Sequence, residues 1–247
     1  MRRRKIKKQI IRHDIRSEVT SVIAHQLKTP LVGIKSSLEV IVSGQLGEVL
    51  PTQKEYLRIA LDEVERMVAL VRDLLDAARI DQKELELKRQ PTDLVKLVKE
   101  AIDNNMTFAK ATNTEVSFAF DGKIPLVSAD TAKIQQAINN IVDNAIRYEQ
   151  RRGKVVIRLK MAGQKIIFSC QDSGIGIPNT EAKKIFSKFY RGRKAIELVP
   201  TGSGLGLYIA RAIIEQSGGK VWFTSKPGQG STFYFFLPVQ LKNRNNR

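Results

Sequence analysis

Apolar residues in the first third of the chain recur every three or four positions, the spacing of one face of an α-helix. The pattern predicts one helix that ends near residues 43–47, where two glycines interrupt it, and a second that starts at Pro51. Because two stripes this wide cannot bury each other completely, we expect two such hairpins to pair as a four-helix bundle in a homodimer. The stripes consist of Val19, Val22, Ile23, Leu27, Leu31, Ile34, Leu38 and Ile41, then Leu57, Leu61, Val64, Val68, Val71, Leu74, Leu75 and Ala78.

After a polar connection the pattern changes to one amphipathic helix followed by short alternating runs, which predict strands. This predicts an α+β protein in which a sheet carries its helices on one face. We assign residues 1–83 to the hairpin and its basic start, residues 84–240 to a second domain, and residues 241–247 to a basic tail. The expected strands are 115–120, 155–159, 165–170, 220–223 and 231–237, and the expected helices are 94–102, 131–148, 180–190 and 205–217.

His25 begins residues 25–31, where Pro30 interrupts a helical pattern. Proline has no N–H to give to the carbonyl of Gln26, so we expect the helix to bend or open one turn beyond the histidine. A neutral imidazole carries a nitrogen lone pair that can act as a nucleophile. His25 lies outside the apolar stripe and is predicted to face out of the bundle. The alternative is an ordinary surface histidine beside a chance helix kink.

The chain of 247 residues has a net charge of +17, and seven of its cations precede residue 13 with no acid among them. This basic start fits contact with acidic lipid headgroups, the end of an upstream sensor or membrane span, or a solvated helix start. Nucleic acid is not expected as a partner, because the sequence has no zinc finger, no helix-turn-helix signature and no aromatic stripe among its basic residues.

The single cysteine excludes an internal disulfide framework, and two histidines with one cysteine cannot form the usual metal ligand sets. The sequence has no run of eighteen apolar residues and no signal-peptide pattern. We therefore expect a cytoplasmic protein, either by itself or as the cytoplasmic part of a longer, membrane-tethered one.

Asn140 and Asn144 lie four positions apart on a predicted helix and so share one face, with Arg147 and Tyr148 one turn further on. Two carboxamide oxygens on one face can hold a hard cation such as Mg²⁺, and an arginine beside them can meet phosphate. A helix with two asparagines is otherwise commonplace.

Two glycine-containing segments complete the candidate chemistry. In residues 172–178, directly after a strand, Asp172 can accept a hydrogen bond from the exocyclic amine of a purine, while two glycines let the backbone approach a ligand. Residues 201–207 open a helix whose free N–H groups suit phosphate. The second segment is neither a P-loop nor a dinucleotide fingerprint, and any tight turn can look similar.

These motifs, with residues 186–190 and 228–232, follow one another in an order that resembles the sensor histidine kinases of two-component signalling, from about residue 14 to residue 239. The resemblance implies a dimeric phosphoacceptor hairpin followed by an α/β sandwich of the GHKL (Bergerat) type that binds ATP and Mg²⁺. It also implies a response regulator as partner, with ATP phosphorylating His25 and the phosphoryl group passing to an aspartate of the regulator.

The resemblance also implies residue roles. His25 would be the phosphoacceptor, Asn140 and Asn144 the Mg²⁺-ATP ligands, Asp172 the adenine reader, and Thr232 the residue that closes the pocket behind Asp172. Further ATP-binding positions would be Arg147 at phosphate, Tyr148, Gly174, Gly176 and Ile177 near adenine, and Gly202, Ser203, Gly204, Leu205, Gly206 and Leu207 in the lid and its hinge, with Phe186 and Phe189 bracing the lid.

The family most often carries an acid immediately after the histidine, where this chain has Gln26. An amide can orient the imidazole but cannot take up a proton, so we expect reduced autokinase activity. Thr29, one turn beyond His25, is placed to help dephosphorylate the regulator, or it only satisfies a backbone carbonyl near Pro30. The alternative functions are a non-kinase ATPase of the same fold and a weakened scaffold that binds ATP and a signalling partner.

Overall fold

The computed structural model describes the backbone of residues 2–149 and 152–239, and the side chains of residues 22–149 and 152–239. The described residues form two compact units that divide after Leu85. The side chains of the basic start and the basic tail lie outside the described residues. Within the described part of the chain, no helix combines the length and the apolar character needed to cross a membrane.

The first unit is a hairpin of two long helices, α1 (Arg2–Val42) and α2 (Pro51–Asp81). Their connection turns through Gly44 and Gly47, both at positive φ (80° and 127°), which a side chain would disfavour. Pro51 occupies the first position of α2, where its missing N–H costs nothing. The predicted hairpin is therefore confirmed.

Packing between the two helices is concentrated on one stripe. Ala24 and Leu31 of α1 are buried against Val71 of α2, and the Lys35 ammonium lies 2.8 Å from the Glu65 carboxylate. At Pro30 we expect α1 to bend or open; α1 continues through Pro30 as one helix, so it does not open there. One missing hydrogen bond is tolerated because packing of the neighbouring Leu31 holds this part of α1 against α2.

The second unit contains a five-stranded sheet in the order β2-β4-β5-β7-β6 and a two-stranded sheet of β1 and β3. β2 runs parallel to β4, and the other pairs in both sheets are antiparallel. The strands are β1 (Gln90–Thr92), β2 (Glu115–Phe120), β3 (Val127–Ala129), β4 (Lys154–Ala162), β5 (Lys165–Gln171), β6 (Lys220–Ser225) and β7 (Ser231–Pro238), and the helices are α3 (Leu94–Ala111), α4 (Thr131–Arg147), α5 (Arg193–Leu198) and α6 (Gly206–Gln216).

Helices α3, α4 and α6 cover one face of the larger sheet. Asp93 and Asp130 cap the first turns of α3 and α4 through hydrogen bonds from backbone N–H groups. The core between the layers includes Ile138 of α4 and the stacked rings of Phe168 and Phe235, whose centroids are 4.6 Å apart. The predicted sheet with helices on one face is confirmed.

One predicted helix is wrong. Residues 180–190 form successive turns, because the backbone bonds there mostly join residues three apart, as from Lys184 N to Glu181 O and from Ser187 N to Lys184 O. The three-residue strands β1 and β3 and the short helix α5 were not predicted. A three-residue strand is too short to show alternation.

Candidate functional site

The turn after β5 holds a buried carboxylate. Asp172 is only 7% exposed, and its Oδ1 accepts hydrogen bonds from the N–H groups of Gly174 (3.0 Å) and Ser231 (3.0 Å). The Asp172 N–H in turn donates to the Ser231 carbonyl at 2.9 Å. These bonds hold the end of β5 and the start of β7 around the Asp172 side chain. The second carboxylate oxygen, Oδ2, remains as an acceptor for a ligand.

Burial raises the pKa of Asp172 to about 6, and the nearby Glu149 carboxylate acts in the same direction. The two backbone N–H donors oppose this rise because they favour the ionised form. Near neutral pH the side chain is therefore an ionised acceptor, suited to an N–H donor such as the exocyclic amine of a purine.

The glycines after Asp172 are required by close backbone contacts. A Cβ on Gly174 would lie 2.2 Å from the Tyr148 carbonyl oxygen, and one on Gly176, which has φ 63°, would lie 2.1 Å from the Lys226 carbonyl oxygen. The Ile177 N–H donates to Ser225 Oγ at 2.7 Å. The turn is therefore held between the end of α4 and the loop before β7.

Two residues of this site were not found from the sequence. Ser231 takes the position beside Asp172 that was expected for Thr232, since the Ser231 N–H donates to Asp172. Thr232 pairs with Gln171 in the strand register, so its side chain lies on the other face of the sheet. The alternation of β7, in which Ser231 shares the buried face with Phe233, was the available signal.

Glu149 is the second such residue. It is buried just after α4, and its Oε1 accepts from the Ser173 N–H (2.5 Å) and, like Oε2, from the Ser173 hydroxyl. The Ser173 hydroxyl also accepts from the Lys154 N–H. Through Ser173, Glu149 thus connects the Asp172 turn to the start of β4. The sequence does not indicate this role, since it shows only an acidic residue at the end of a helix.

Asn140 and Asn144 both lie half-buried on α4, as the four-residue spacing predicts. The Asn140 amide donates to the carbonyl of Gly206 at 3.0 Å, so it links α4 to the first residue of α6. This bond fixes the carboxamide and leaves its Oδ1 as an acceptor. Two neutral oxygens suit Mg²⁺ that arrives with a nucleotide, because this ion takes most of its ligands from phosphate and water.

Arg147 is not brought together with Asn140. Its Nε lies 2.6 Å from Asp143 Oδ1, and its guanidinium stacks over the ring of Phe108 in α3 at 5.2 Å. Asn140 contacts α6, whereas Arg147 contacts α3. A phosphate contact by Arg147 therefore requires the arginine to leave Asp143.

The glycine-rich segment before α6 approaches the same asparagine. Gly204 has φ 68°, and its carbonyl accepts from the Phe189 N–H at 3.0 Å. Ser203 Oγ accepts from the N–H of Leu205, a buried residue. α6 begins at Gly206, directly beside Asn140, and no side chain caps its first turn. The first N–H groups of α6 are thus suited to a phosphate.

Arg191 organises the segment that precedes these glycines. Its guanidinium donates to the carbonyls of Ala195, Val199, Pro200 and Gly202, which follow it along residues 192–202. Residues 191–204, which include α5, form the candidate lid. The sequence resemblance implies a lid that includes Gly202 and Gly204, and in the structure the Arg191 side chain holds the preceding part of this segment through its hydrogen bonds.

The candidate phosphoacceptor lies in the first unit. His25, Gln26 and Thr29 are exposed on α1, and His25 and Thr29, four positions apart, share a helix face. Several apolar side chains of the hairpin are also exposed in the single chain. They include Val22, Ile23, Leu27, Ile34, Ile59, Met67 and Leu70.

Profiles of two domain families match these two units. The His Kinase A (phospho-acceptor) domain matches residues 15–83, and the histidine kinase-, DNA gyrase B-, and HSP90-like ATPase matches residues 129–241. Fold and site together therefore define a class of protein in which a phosphoacceptor hairpin precedes an ATP-binding domain.

Individual proteins resemble the chain over most of its length. The sensor histidine kinase WalK of Bacillus subtilis is 32% identical over 235 residues, which are 94% of this chain and 38% of the relative. The catalytic domain of histidine kinase ThkA is 32% identical with a TM-score of 0.53, over 62% of this chain and 96% of that one. ThkA in complex with the response regulator protein TrrA has a TM-score of 0.60 at 27% identity, over 98% and 67%.

The chain belongs to the sensor histidine kinases of two-component systems, as its motifs indicated. It spans less than two-fifths of the length of the curated WalK relative.

Proposed function

We propose that this protein is an ATP-dependent histidine kinase that phosphorylates its own His25 and transfers the phosphoryl group to an aspartate of a response regulator. The observation that carries the proposal is the pocket around Asp172. A buried, ionisable carboxylate is held by backbone donors on one oxygen and has its other oxygen available, and a glycine-rich segment of the same domain leads into an uncapped helix.

ATP would bind with its adenine amine donating to Asp172 Oδ2, while Gly174, Gly176 and Ile177 shape the base pocket beside Tyr148. The triphosphate would run toward the start of α6, where residues 202–207 supply N–H groups. Asn140 and Asn144 would hold Mg²⁺, which neutralises phosphate charge when it is bound. Arg147 would contact phosphate after release from Asp143.

A ring nitrogen of His25 would attack the γ-phosphorus in line. The N–P bond forms as the bond to the β-phosphate oxygen breaks and ADP leaves, and the proton on the other ring nitrogen must then pass to a base. Gln26 can accept a hydrogen bond from that nitrogen but cannot take the proton. Solvent would remove it, so the rate is expected to lack the general-base contribution.

The proposal includes a homodimer, since exposed apolar residues on both hairpin helices need a partner surface. It also includes a response-regulator receiver as substrate, in line with the ThkA complex with TrrA. The domain bounds 1–83, 84–240 and 241–247 and a cytoplasmic location belong to the same proposal.

Incorporation of label from γ-labelled ATP tests the phosphoacceptor. His25→Gln should reduce the label to background, whereas His13→Gln, which changes the only other histidine, should keep it. The labelled product should be acid-labile and alkali-stable, as a phosphoramidate is. Label that persists in His25→Gln would contradict the assignment.

A phosphatase activity toward the regulator is a second candidate, favoured by the exposure of Thr29 one turn from His25. Its hydroxyl could position a water molecule against an aspartyl phosphate. Loss of phosphate from a phosphorylated receiver should slow with Thr29→Ala and recover with Thr29→Ser. Equal rates for all three proteins would leave the hydroxyl with a structural role only.

A further inference from the structure

The five-stranded sheet has a second face, opposite the helices, that carries an apolar centre between cations. We call it the open sheet face. Alternate residues of each strand point toward it, and they are the more exposed ones, in contrast to buried neighbours such as Ile157, Phe168 and Phe235. The open sheet face comprises Arg158, Lys160, Lys165, Ile167, Ser169, Lys220, Trp222, Tyr234 and Phe236.

The strand register orders these residues in two neighbouring rows. One row runs from Arg158 through Ser169 and Tyr234 to Trp222. The other runs across the same four strands and ends in a lysine on each side; it consists of Lys160, Ile167, Phe236 and Lys220. An aromatic and aliphatic centre is therefore flanked by positive charges.

The charges on this face are uncompensated. Arg158, Lys160, Lys165 and Lys220 are all exposed, and none forms an ion pair with another residue in the described part of the chain. On the same side of the sheet, beyond the residues of the open sheet face, the strands carry one carboxylate, Glu115, which lies 3.9 Å from its register partner Lys154. The face therefore favours an anionic partner.

The geometry of the rings argues against nucleic acid as that partner. Base stacking needs an open ring face. Trp222 and Tyr234 stack on each other, with centroids 5.3 Å apart and planes 7° apart, and the Lys165 ammonium lies over the Phe236 ring at 4.1 Å. One face of each of these three rings is therefore already occupied, which leaves less ring surface for a base.

The residue types of the basic side chains on this face argue against a protein partner. Three of the four are lysines, and lysine is depleted in protein–protein interfaces, whereas flexible lysines beside tryptophan and tyrosine are typical of contacts with lipid headgroups. We propose that the open sheet face binds an anionic lipid surface, so that the ATP-binding domain contacts the membrane through this side. This inference does not depend on the kinase activity.

Trp222 is the only tryptophan of the chain and lies within the proposed contact, so its fluorescence reports binding directly. Vesicles of phosphatidylcholine and phosphatidylglycerol in an about two-to-one ratio should shift Trp222 emission to the blue, and added salt should reverse the shift. Vesicles of phosphatidylcholine alone should cause no shift. The full chain is used throughout.

Two variants with the same change in net charge separate this face from the general basicity of the chain. Arg158→Glu, Lys160→Glu and Lys220→Glu together should weaken vesicle binding by roughly 100-fold and abolish the shift. Lys96→Glu, Lys99→Glu and Lys110→Glu on α3, which packs against the other side of the sheet, should weaken it far less. Unchanged circular dichroism and ATP binding would show that both variants fold.

Three results would overturn the proposal. The first is an equal loss of binding in the two triple variants. The second is vesicle binding that leaves Trp222 emission unchanged, which would assign binding to the basic start. The third is a shift caused by single-stranded DNA or by an acidic protein but not by anionic vesicles.

Discussion

The hairpin and the ATP-binding domain build their sites in opposite ways. In the hairpin, His25, Gln26 and Thr29 lie within five consecutive residues on one exposed helix. In the ATP-binding domain, the pocket depends on residues as far apart as Glu149, Asp172 and Ser231, which are connected by hydrogen bonds to Asp172 and its neighbour Ser173. The first site therefore depends on the local sequence and on the molecules that bind to it. The second site depends on tertiary packing. Substitutions should affect the two accordingly.

The largest effect is expected from Gly230→Ala. Gly230 has φ 83°, and an added Cβ would lie 2.0 Å from the Asp172 carbonyl oxygen, so β7 must move away from the Asp172 turn. ATP binding, measured by calorimetry, should be lost, and the domain should unfold at a markedly lower temperature. Gly228→Ala is the matched control, because it has a similar φ of 73° but nothing within 4 Å of the added Cβ. If both variants bind ATP equally, the close contact does not shape the pocket.

In the hairpin, Gln26→Glu should increase activity. A carboxylate can accept the proton from the second imidazole nitrogen, and general-base catalysis typically contributes ~10²- to 10⁴-fold. We expect the single-turnover rate of autophosphorylation to rise at least about tenfold. Gln45→Glu, an exposed position in the turn, controls for the added charge. No increase would mean that proton removal does not limit the reaction.

In the ATP-binding domain, affinity for ATP should fall as the pH decreases through about 6, because Asp172 then loses the charge that accepts the adenine amine. The same raised pKa acts oppositely on stability. The contribution of Asp172 to the free energy of unfolding is fully present below its ordinary pKa of 3.8 and is lost as the pH rises through about 6.

Glu149→Gln sharpens this test. Removal of the neighbouring charge should move the midpoint of the affinity profile to lower pH, since Glu149 raises the pKa of Asp172. Asp172→Asn should weaken ATP binding at neutral pH by roughly tenfold and flatten the profile. Measurements of ATP affinity across a range of pH test both variants. A midpoint unmoved by Glu149→Gln would show that the Glu149 charge does not contribute to the raised pKa of Asp172.

The smallest effect is expected from Gly33→Ala in α1. Gly33 is exposed, and no atom lies within 4 Å of an added Cβ. Alanine in a helix interior is more stable than glycine by about 0.5–1 kcal/mol, so thermal unfolding of the hairpin should shift slightly upward. A loss of stability would indicate that this surface is covered, as in a tight dimer interface.

The same contrast explains what the sequence could predict. Helix periodicity revealed the hairpin, because the apolar spacing that specifies each of its helices is local in the sequence. The alternation of apolar and polar residues located five strands, and the helical stretches between them indicated the helical layer. Ser231 and Glu149 were missed because their contacts with Asp172 and Ser173 depend on strand register and on where a helix ends in space. The composition of residues 180–190 predicts a helix where the structure has turns, because composition does not distinguish hydrogen bonds between residues three apart from those between residues four apart.

The lid also has a mechanical property that follows from Arg191. One guanidinium donates to four carbonyls between Ala195 and Gly202, so its departure would remove a hydrogen bond from all four at once. The Ala195 carbonyl would keep its bond from the Val199 N–H. Because these hydrogen bonds share one donor group, we expect them to form or break together rather than one at a time. The order of the candidate lid would thus depend on a single side chain, Arg191.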